Sequence, residues 1–439
     1  MNDVLTSIEA ISEGMPYPPY AARERMARYA LNLQRYKGDY NENKYIKIKN
    51  LNGGIDNFPI ITENYFRLMT NKSQGLLFNE KPFVSVKDSP ADTELLKRLI
   101  DKSGFWKAFL AGYRNFSSLG SCVLYLSVKD GLPKVNALNP SCMYKIVDAQ
   151  NIDTVTCFVL VQPIFKVDYK NAEYTKIEKL RVLYHYKGYY IEKLFRYNEN
   201  GQILNCESEK RVDTGLTDFA VYSFENSRPT DEVYGYSDYD AVADVVALYE
   251  QTITLVNAVL VKNINPILQV PIGTFTENEM TGKLEAPTDG SVVEVDPSSK
   301  DIKYINYDLQ ITDIMNYLGT LLNELGIQSE MSKTFLTGEF TSNLSGAAIR
   351  SLMKAPLDKI SRAIDEIDDG IKSIFVQMLH IVGVERETSD IEIVWRDGIS
   401  ETIEIPEHPV PIIPSASSSP KVETDMVETD NTEGGVLSE

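Results

Sequence analysis

Residues 235–269 read GYSDYDAVADVVALYEQTITLVNAVLVKNINPILQ, which is a turn, a long apolar segment and a proline stop in succession. Ser237, with Asp240 three residues later, resembles a capping box, so we predict that a helix begins there and runs to Asn263. Pro266 lies just beyond its end, where a helix cannot continue. A single narrow apolar stripe on so long a helix predicts packing against a neighbouring helix. The stripe consists of Val242, Val245, Tyr249, Ile253, Val256 and Leu260.

The segment that follows Pro266 alternates short β-type runs with Gly and Pro turns. A second helix is predicted over Leu309–Gln328, where apolar residues again recur at helical spacing. Two helices that bracket a small β insert predict a helical hairpin with a β-structured tip. The predicted strands are Ile267–Val270, Ser291–Val295 and Lys303–Tyr307.

Acidic residues far outnumber basic ones between positions 237 and 328. Asp238, Asp240, Asp244 and Glu250 lie at the start of the first helix, and most of the others lie in the β insert. A solvated acidic face is the ordinary interpretation of such a bias. The sharper hypothesis is a lining that repels a polyanion and prevents tight adhesion.

Residues 329–343 read SEMSKTFLTGEFTSN, which is long for a connection between two helices. Its hydroxyl, amide and ammonium groups are typical of weak phosphate contacts without sequence preference. A long helix is then predicted from Ser345 to about Val382, with a kink near Ala355 because Pro356 removes a backbone donor. The candidate DNA-contact residues are Lys333, Thr334, Thr337, Thr341, Ser342 and Asn343.

Residues 1–236 predict an α+β region in which helices come first and an antiparallel meander follows. Tyr20–Lys37 is predicted to be a helix with Met26, Ala30 and Leu33 on its apolar face, ending at Gly38. The other helices are Asn64–Phe78 and one or two over Asp92–Ser118, broken near Gly104. The predicted strands are Lys81–Val86, Ser121–Val128, Pro133–Leu138, Met143–Asp148, Thr154–Gln162, Leu180–Tyr186 and Gly188–Tyr197, with a further one at Ile391–Val394.

Composition limits the functional classes. The net charge is −19, with 63 acids against 44 bases, which argues against a protein that grips nucleic acid through a basic face. Four cysteines without a CxxC pair and three histidines predict no zinc site and no other metal or cofactor. The uncharged apolar runs are too short for a membrane span, and no signal-peptide pattern opens the chain, so we expect a cytoplasmic protein.

The order and spacing of several short motifs resemble the portal proteins of tailed bacteriophages, of the type found in long-tailed phages of Gram-positive hosts. Each motif is weak alone, but together they follow the predicted helix–insert–helix–loop–helix layout over roughly residues 20–400. They are Tyr36-Lys37-Gly38, Asn64 to Pro82, Gly120-Ser121-Cys122-Val123-Leu124-Tyr125, Gly235-Tyr236-Ser237-Asp238, Asn265-Pro266, Ser345-Gly346-Ala347-Ala348 and Trp395-Arg396-Asp397.

This resemblance implies a ring of twelve subunits at one capsid vertex, through which double-stranded DNA is packaged and ejected. The implied partners are the terminase large subunit (the ATPase), head-completion or adaptor proteins, a scaffold and the major capsid protein, with no membrane. The apolar stripe would be the seam between subunits. The implied parts are a wing (1–236), a stem helix (237–264), a clip (265–308), a second stem helix (309–328), a tunnel loop (329–344), a kinked helix leading to a crown (345–382), a strand returning to the wing (383–408) and a disordered acidic tail (409–439).

Two other classes of protein remain as alternatives. A non-portal virion adaptor of the tail or baseplate would share the layout, and a carboxylate-dependent hydrolase could use a pair such as Asp368 and Asp369. The sequence holds no GxxxxGK[ST], HExxH or GxSxG motif, so the usual signatures of ATP hydrolysis, zinc proteolysis and serine acyl transfer are missing. We therefore expect a virion structural protein rather than an enzyme, made in the host cytoplasm.

Overall fold

Among the described residues, four α-helices lie within the first 119 positions of the chain. The computed structural model describes residues 3–41, 44–49, 55–168, 173–198, 200–264, 267–271, 292–295, 303–305, 311–339 and 346–395. Gly38 (φ 81°) ends the first helix, and Gly104 (φ 72°) separates the third from the fourth, both in the left-handed region that favours glycine. The helices are α1 (Arg23–Lys37), α2 (Tyr65–Leu77), α3 (Pro90–Ser103) and α4 (Phe105–Leu119).

The buried face of α1 differs from the predicted one. Ala30 is exposed and Met26 is only half-buried, whereas Arg25, Tyr29 and Asn32 are buried. Each of these three has a polar partner that offsets its burial, such as the Asp3 carboxylate that accepts a hydrogen bond from Arg25. The hydrophobic pattern therefore identified the helix but not the side that packs.

The predicted single meander is two sheets. A three-stranded sheet has the order β11-β4-β5, and a five-stranded antiparallel sheet has the order β10-β9-β8-β7-β6. Residues from both sheets, including Val123 and Leu160, form one buried cluster. The strands are β4 (Ser121–Lys129), β5 (Leu132–Leu138), β6 (Met143–Val147), β7 (Val155–Asp168), β8 (Glu173–Tyr186), β9 (Tyr189–Tyr197), β10 (Ile203–Asp213) and β11 (Val221–Glu225).

A long C-terminal helix completes the main core. Helix α8 (Gly346–Ile381) contains Pro356 in its interior and is helical on both sides of it. Phe375 on α8 packs against Phe105 of α4, with ring centroids 4.9 Å apart. Beyond α8, β15 (Ile391–Val394) pairs antiparallel with β3 (Phe83–Val86), so the chain returns to its N-terminal region.

The predicted helical hairpin and its β insert follow the three-stranded and five-stranded sheets in the chain. Helix α5 begins at Ala243 rather than Ser237, because residues 238–242 form consecutive turns. A parallel pair, β12 with β13, and an antiparallel pair, β12 with β14, make the small sheet of the insert. A separate two-stranded sheet of β1 and β2 lies between α1 and α2 and was not predicted. The elements are β1 (Tyr45–Lys49), β2 (Ile55–Pro59), α5 (Ala243–Ile264), β12 (Ile267–Pro271), β13 (Val292–Val295), β14 (Lys303–Ile305), α6 (Ile311–Gln328) and α7 (Lys333–Thr337).

Candidate oligomerisation and DNA-contact surfaces

The chain enters the helical hairpin through a crossing of two glycines. A Cβ on Gly235 would lie 2.2 Å from the carbonyl oxygen of Asn226 and 2.5 Å from that of Gly120. The backbone nitrogen of Asn226 donates to the Gly120 carbonyl at 2.9 Å, and that of Tyr236 donates to the Asn226 carbonyl at 2.8 Å. Neither glycine can carry a side chain here, which explains why both occur in the motifs noted above.

Asp238 is the centre of a buried network next to this crossing. Its carboxylate accepts hydrogen bonds from the Ser117 hydroxyl at 2.6 Å and from the Asn226 amide at 3.1 Å. Lys359 of α8 lies 3.0 Å from the same carboxylate and donates to the Ser329 carbonyl oxygen at 3.1 Å. One ammonium group thus joins the beginning of the hairpin to the residue that follows α6.

A second buried carboxylate stabilises the approach to this crossing. Glu225 forms an ion pair with Lys145 at 2.5 Å and accepts a hydrogen bond from the backbone nitrogen of Gly235 at 3.1 Å. Burial alone would raise the pKa of Glu225, but the Lys145 ammonium and the hydrogen bonds hold that pKa below its usual range. The carboxylate is therefore charged and structural.

Only part of the predicted seam lies on the surface of α5. Val242 and Tyr249 are buried against α2 and α6 of the same chain, so a seam between folded subunits cannot include them. Val245, Ile253 and Val256 are half-buried, and Leu260 is exposed. A single chain therefore buries two of the six predicted residues and leaves the other four at least partly accessible.

The exposed apolar surface of α5 was missed by the sequence analysis. Leu248 and Leu255 are 42% and 44% exposed and lie two helical turns apart on one face. Asp244 and Gln251 lie on the same side of the helix and are both polar and exposed. Their spacing in the sequence could therefore have shown that Leu248 and Leu255 face outward. Other exposed apolar side chains of the hairpin are Val261, Met315, Tyr317 and Ile327.

Much of α5 is left uncovered by the residues that the structure describes. Among the described residues, the one helix long and apolar enough to cross a membrane by length and composition is Ala243–Val261, of which 28% is buried. Asp244 and Glu250 interrupt it, so its uncharged run is shorter than a span needs. An exposed apolar helix surface of this kind is typical of a protein–protein contact.

The predicted acidic lining needs correction at two positions. Glu250 is 2% exposed, and its carboxylate accepts hydrogen bonds from Tyr40, Asn41 and the backbone nitrogen of Glu63. Burial raises its pKa, and these hydrogen bonds oppose the rise. Glu250, like Asp238, is a structural acceptor rather than a surface charge. The acids of the hairpin helices that are exposed are Asp244, Asp313 and Glu324, with Asp240 in the turn before α5.

The predicted loop contains a short helix, α7, and is firmly held at its beginning. Met331 and Leu336 are buried, whereas Lys333 and Thr334 are half-buried and Thr337 is exposed. Glu330 and Ser332 adopt positive φ angles of 59° and 53°, which non-glycine residues rarely adopt. Of the candidate DNA-contact residues, Thr341, Ser342 and Asn343 lie outside the described residues, as does the predicted acidic tail at 409–439.

The carboxylate pair considered for hydrolysis has a structural role at one of its members. Asp368 accepts a hydrogen bond from the Trp395 indole at 2.8 Å and pairs with Lys372 at 2.6 Å, and Asp369 is on the surface of α8. Within the described ranges, no three His, Cys, Asp or Glu side chains are grouped so as to hold a metal ion.

Comparison with known proteins agrees with the motifs. The family described as "Phage portal protein, SPP1 Gp6-like" matches residues 19–404. No curated protein matches the chain. Among solved structures, a chain of the "Virion of native gene transfer agent (GTA) particle" aligns with a TM-score of 0.44 and 13% sequence identity, covering 88% of this chain and 87% of that one. The family match extends over most of the sequence, and the chain therefore belongs to the SPP1 Gp6-like family of phage portal proteins.

Proposed function

We propose that this portal protein assembles into a ring of twelve subunits at one vertex of the capsid, where double-stranded DNA passes through the ring during packaging and ejection. Membership of a virion structural family supports a portal role. The observation that carries the ring is the exposed apolar face of α5 at Leu248 and Leu255. Burying such a face against the next subunit removes apolar area from water, at about 25 cal/mol per Å².

The hairpin of α5 and α6 is proposed as the stem that surrounds the DNA. The excess of acids over bases between positions 237 and 328 disfavours adhesion because a channel that neutralised phosphates would gain free energy from counterion release and retain the duplex. Lys333, Thr334 and Thr337, together with Thr341, Ser342 and Asn343, would supply brief contacts from the tunnel loop. The seam is proposed to run along Val245, Leu248, Ile253, Leu255, Val256 and Leu260.

The outer surfaces are proposed to bind the other components of assembly. The clip at 265–308 would dock the terminase ATPase during packaging and a head-completion protein afterwards. The wing, residues 1–236 with the strand β15, would face the scaffold and the major capsid protein. The motifs shared with portals of long-tailed phages of Gram-positive hosts support that type of virion for this chain.

Negative-stain microscopy and native mass measurement of the purified chain test this proposal. Rings with a central hole wide enough for duplex DNA, and a mass of twelve subunits, are expected. Small compact oligomers, or rings without an open channel, would contradict it. To separate a portal from a tail or baseplate adaptor, packaging is assayed as nuclease-protected DNA in capsids assembled with and without the chain; DNA packaged equally in both would exclude the portal role.

A further inference from the structure

The segment that connects α1 to α2 is hydrogen-bonded at both of its ends to the carboxylate of Glu250. Between α1 and α2 the chain leaves at Tyr40 and Asn41 and returns at Glu63, and all three donate hydrogen bonds to Glu250 of α5. The backbone nitrogen of Ile61 also donates to the Thr254 hydroxyl at 2.9 Å. The strands β1 and β2 between these anchors therefore leave the middle of α5 at a defined place.

This two-stranded arm pairs only with itself among the described strands. An isolated two-stranded ribbon is marginally stable in water, so it gains most from a further surface. Tyr45 and Ile55, on one face of the arm, are 55% and 58% exposed. Lys47 and Asn57, which lie opposite each other in the register, share that face and are also exposed. The face is apolar and basic together.

A complementary face exists on α6. Asp313, Tyr317, Thr320, Glu324 and Ile327 follow one another at steps of four and three, which places them on one side of the helix. All five are exposed. This face is apolar and acidic together, and within the described part of the chain neither of its acids forms an ion pair.

The arm carries the opposite charge. Lys47 lies on the same face as Tyr45, and Lys44 immediately precedes β1. Both lysines are exposed, and they too lack an acidic partner among the residues that the structure describes. In its own subunit the arm is anchored to α5, at Thr254 and Glu250. The unused basic face of one chain and the unused acidic face of the next can therefore meet when subunits assemble side by side.

We propose that the β1–β2 arm of one subunit docks on the exposed face of α6 of a neighbouring copy. Lys44 and Lys47 pair with Asp313 and Glu324, and the rings and aliphatic groups of Tyr45, Ile55 and Tyr317 pack between them. This inference rests on the proposed ring, because it names a contact between adjacent subunits. It also makes the contact heterologous, as a closed ring requires.

Charge reversal of the full-length chain tests the contact. The double variant Lys44→Glu/Lys47→Glu should raise the subunit concentration needed for half-assembly by about tenfold, since two ion pairs per interface are lost and like charges replace them. Adding Asp313→Lys/Glu324→Lys to that variant should restore assembly. The matched control is Lys102→Glu/Lys107→Glu, which changes the net charge equally on the exposed surfaces of α3 and α4.

The outcomes separate the two proposals. A wild-type chain that never forms rings would contradict the proposed function itself. Wild-type rings together with identical assembly of the Lys44→Glu/Lys47→Glu variant and the control would overturn only the arm contact. Circular dichroism and melting temperature would show that each variant is folded, as expected for substitutions of exposed side chains.

A covalent measurement gives a second test. Benzoylphenylalanine incorporated at position 45 is irradiated in rings mixed from isotopically light and heavy subunits. Crosslinks that join a light arm to a heavy peptide from residues 311–328 are expected. Crosslinks confined to peptides of the same label, or to other regions of the neighbouring subunit, would overturn the assignment.

Discussion

Lys359 Nζ lies 3.0 Å from Asp238 Oδ1, and the two side chains are only 14% and 9% exposed. Asp238 precedes α5, Lys359 belongs to α8, and Lys359 also donates to the carbonyl oxygen of Ser329 at 3.1 Å. This contact connects the beginning of the α5–α6 hairpin, the segment that follows α6 and the long C-terminal helix. A displacement of any one of these three elements would therefore break at least one contact of the Lys359 ammonium group.

Lys359→Met is expected to lower the free energy of unfolding by about 3 kcal/mol, because it leaves the buried Asp238 carboxylate without its cation. Urea denaturation measures the loss. Lys354→Met is the matched control on the same helix, since Lys354 is exposed, and it should change stability by at most about 0.5 kcal/mol. Equal effects of the two substitutions would show that the pair with Asp238 contributes nothing specific.

Gly235→Ala is expected to prevent normal folding or to cost more than about 4 kcal/mol. Its Cβ would meet the backbone of Asn226 and Gly120, which cannot move without breaking the crossing. Gly75→Ala is the control, because nothing lies within 4 Å of a Cβ there and alanine favours the helix by about 1 kcal/mol. Thermal melting distinguishes the two, and a Gly235→Ala protein as stable as wild type would refute the close approach.

The glycines show which structural features the sequence could predict and which it could not. Gly38 and Gly104 were recognisable as helix ends, and the order of helices and strands up to β9, apart from β1 and β2, followed from apolar periodicity. The mixed α+β class and portal membership were confirmed. The constraint on Gly235 is not visible in its local sequence, because it depends on a backbone 115 positions earlier, at Gly120.

Polar side chains account for most of the remaining differences. Arg25 is buried on α1 because Tyr234 lies beneath its guanidinium at 3.7 Å, a contact that periodicity does not reveal. Glu250 was assigned to an acidic lining because its partners, Tyr40 and Glu63, are distant in sequence. Val242 and Tyr249 of the predicted seam are buried within their own chain, in one cluster with residues of α2 and α6. A hydrophobic pattern identifies a buried face but not which chain buries it.

The exposed leucines of α5 provide a test of the seam. Leu248→Glu/Leu255→Glu should abolish rings and leave a folded smaller species, because two charges would be buried in every interface. Leu31→Glu is the matched control, since Leu31 is exposed to a similar degree (41%) on α1. Analytical ultracentrifugation reports the species present. Wild-type rings from the double variant would exclude this face from the seam.

The buried side chain of His185 should make the folded protein less stable at acidic pH. It is fully buried beside the rings of Tyr125 and Tyr190, with centroids at 5.4 Å and 4.9 Å, and burial lowers its pKa from 6.5 to about 4. Below pH 6.5 the unfolded chain binds the proton first, so stability falls as the pH drops and levels off near pH 4. The expected loss is about 3 kcal/mol.

His185→Phe should remove this contribution, because phenylalanine fits an aromatic site and does not titrate. The measurement compares the unfolding free energies of wild type and variant at pH 7 and at pH 4.5. The difference between the two proteins should change by about 2 kcal/mol over that interval. A difference that is independent of pH would show that His185 is not protonated more readily in the unfolded chain.

The proposed role of the loop at 329–344 is best tested by substitution, because the beginning of the loop packs into the core. Removing residues 332–342 would delete Leu336, which is buried, and the Ser332 hydroxyl that accepts a hydrogen bond from the Phe335 backbone nitrogen at 3.3 Å. A packaging defect in such a deletion would not separate DNA contact from misfolding. Lys333 is half-buried and Thr337 is exposed, so both can be changed with the core intact.

Lys333→Glu/Thr337→Ala is expected to reduce nuclease-protected DNA several-fold while ring mass and melting temperature stay at wild-type values. The reason is electrostatic, since a carboxylate repels the phosphates that an ammonium group would contact. Lys354→Glu serves as the control, because it makes the same charge change on the exposed surface of α8, outside the loop. If both variants package equally well, the weak-contact role of Lys333 and Thr337 is wrong. If both fail equally, the effect belongs to the net charge of the ring and not to the loop.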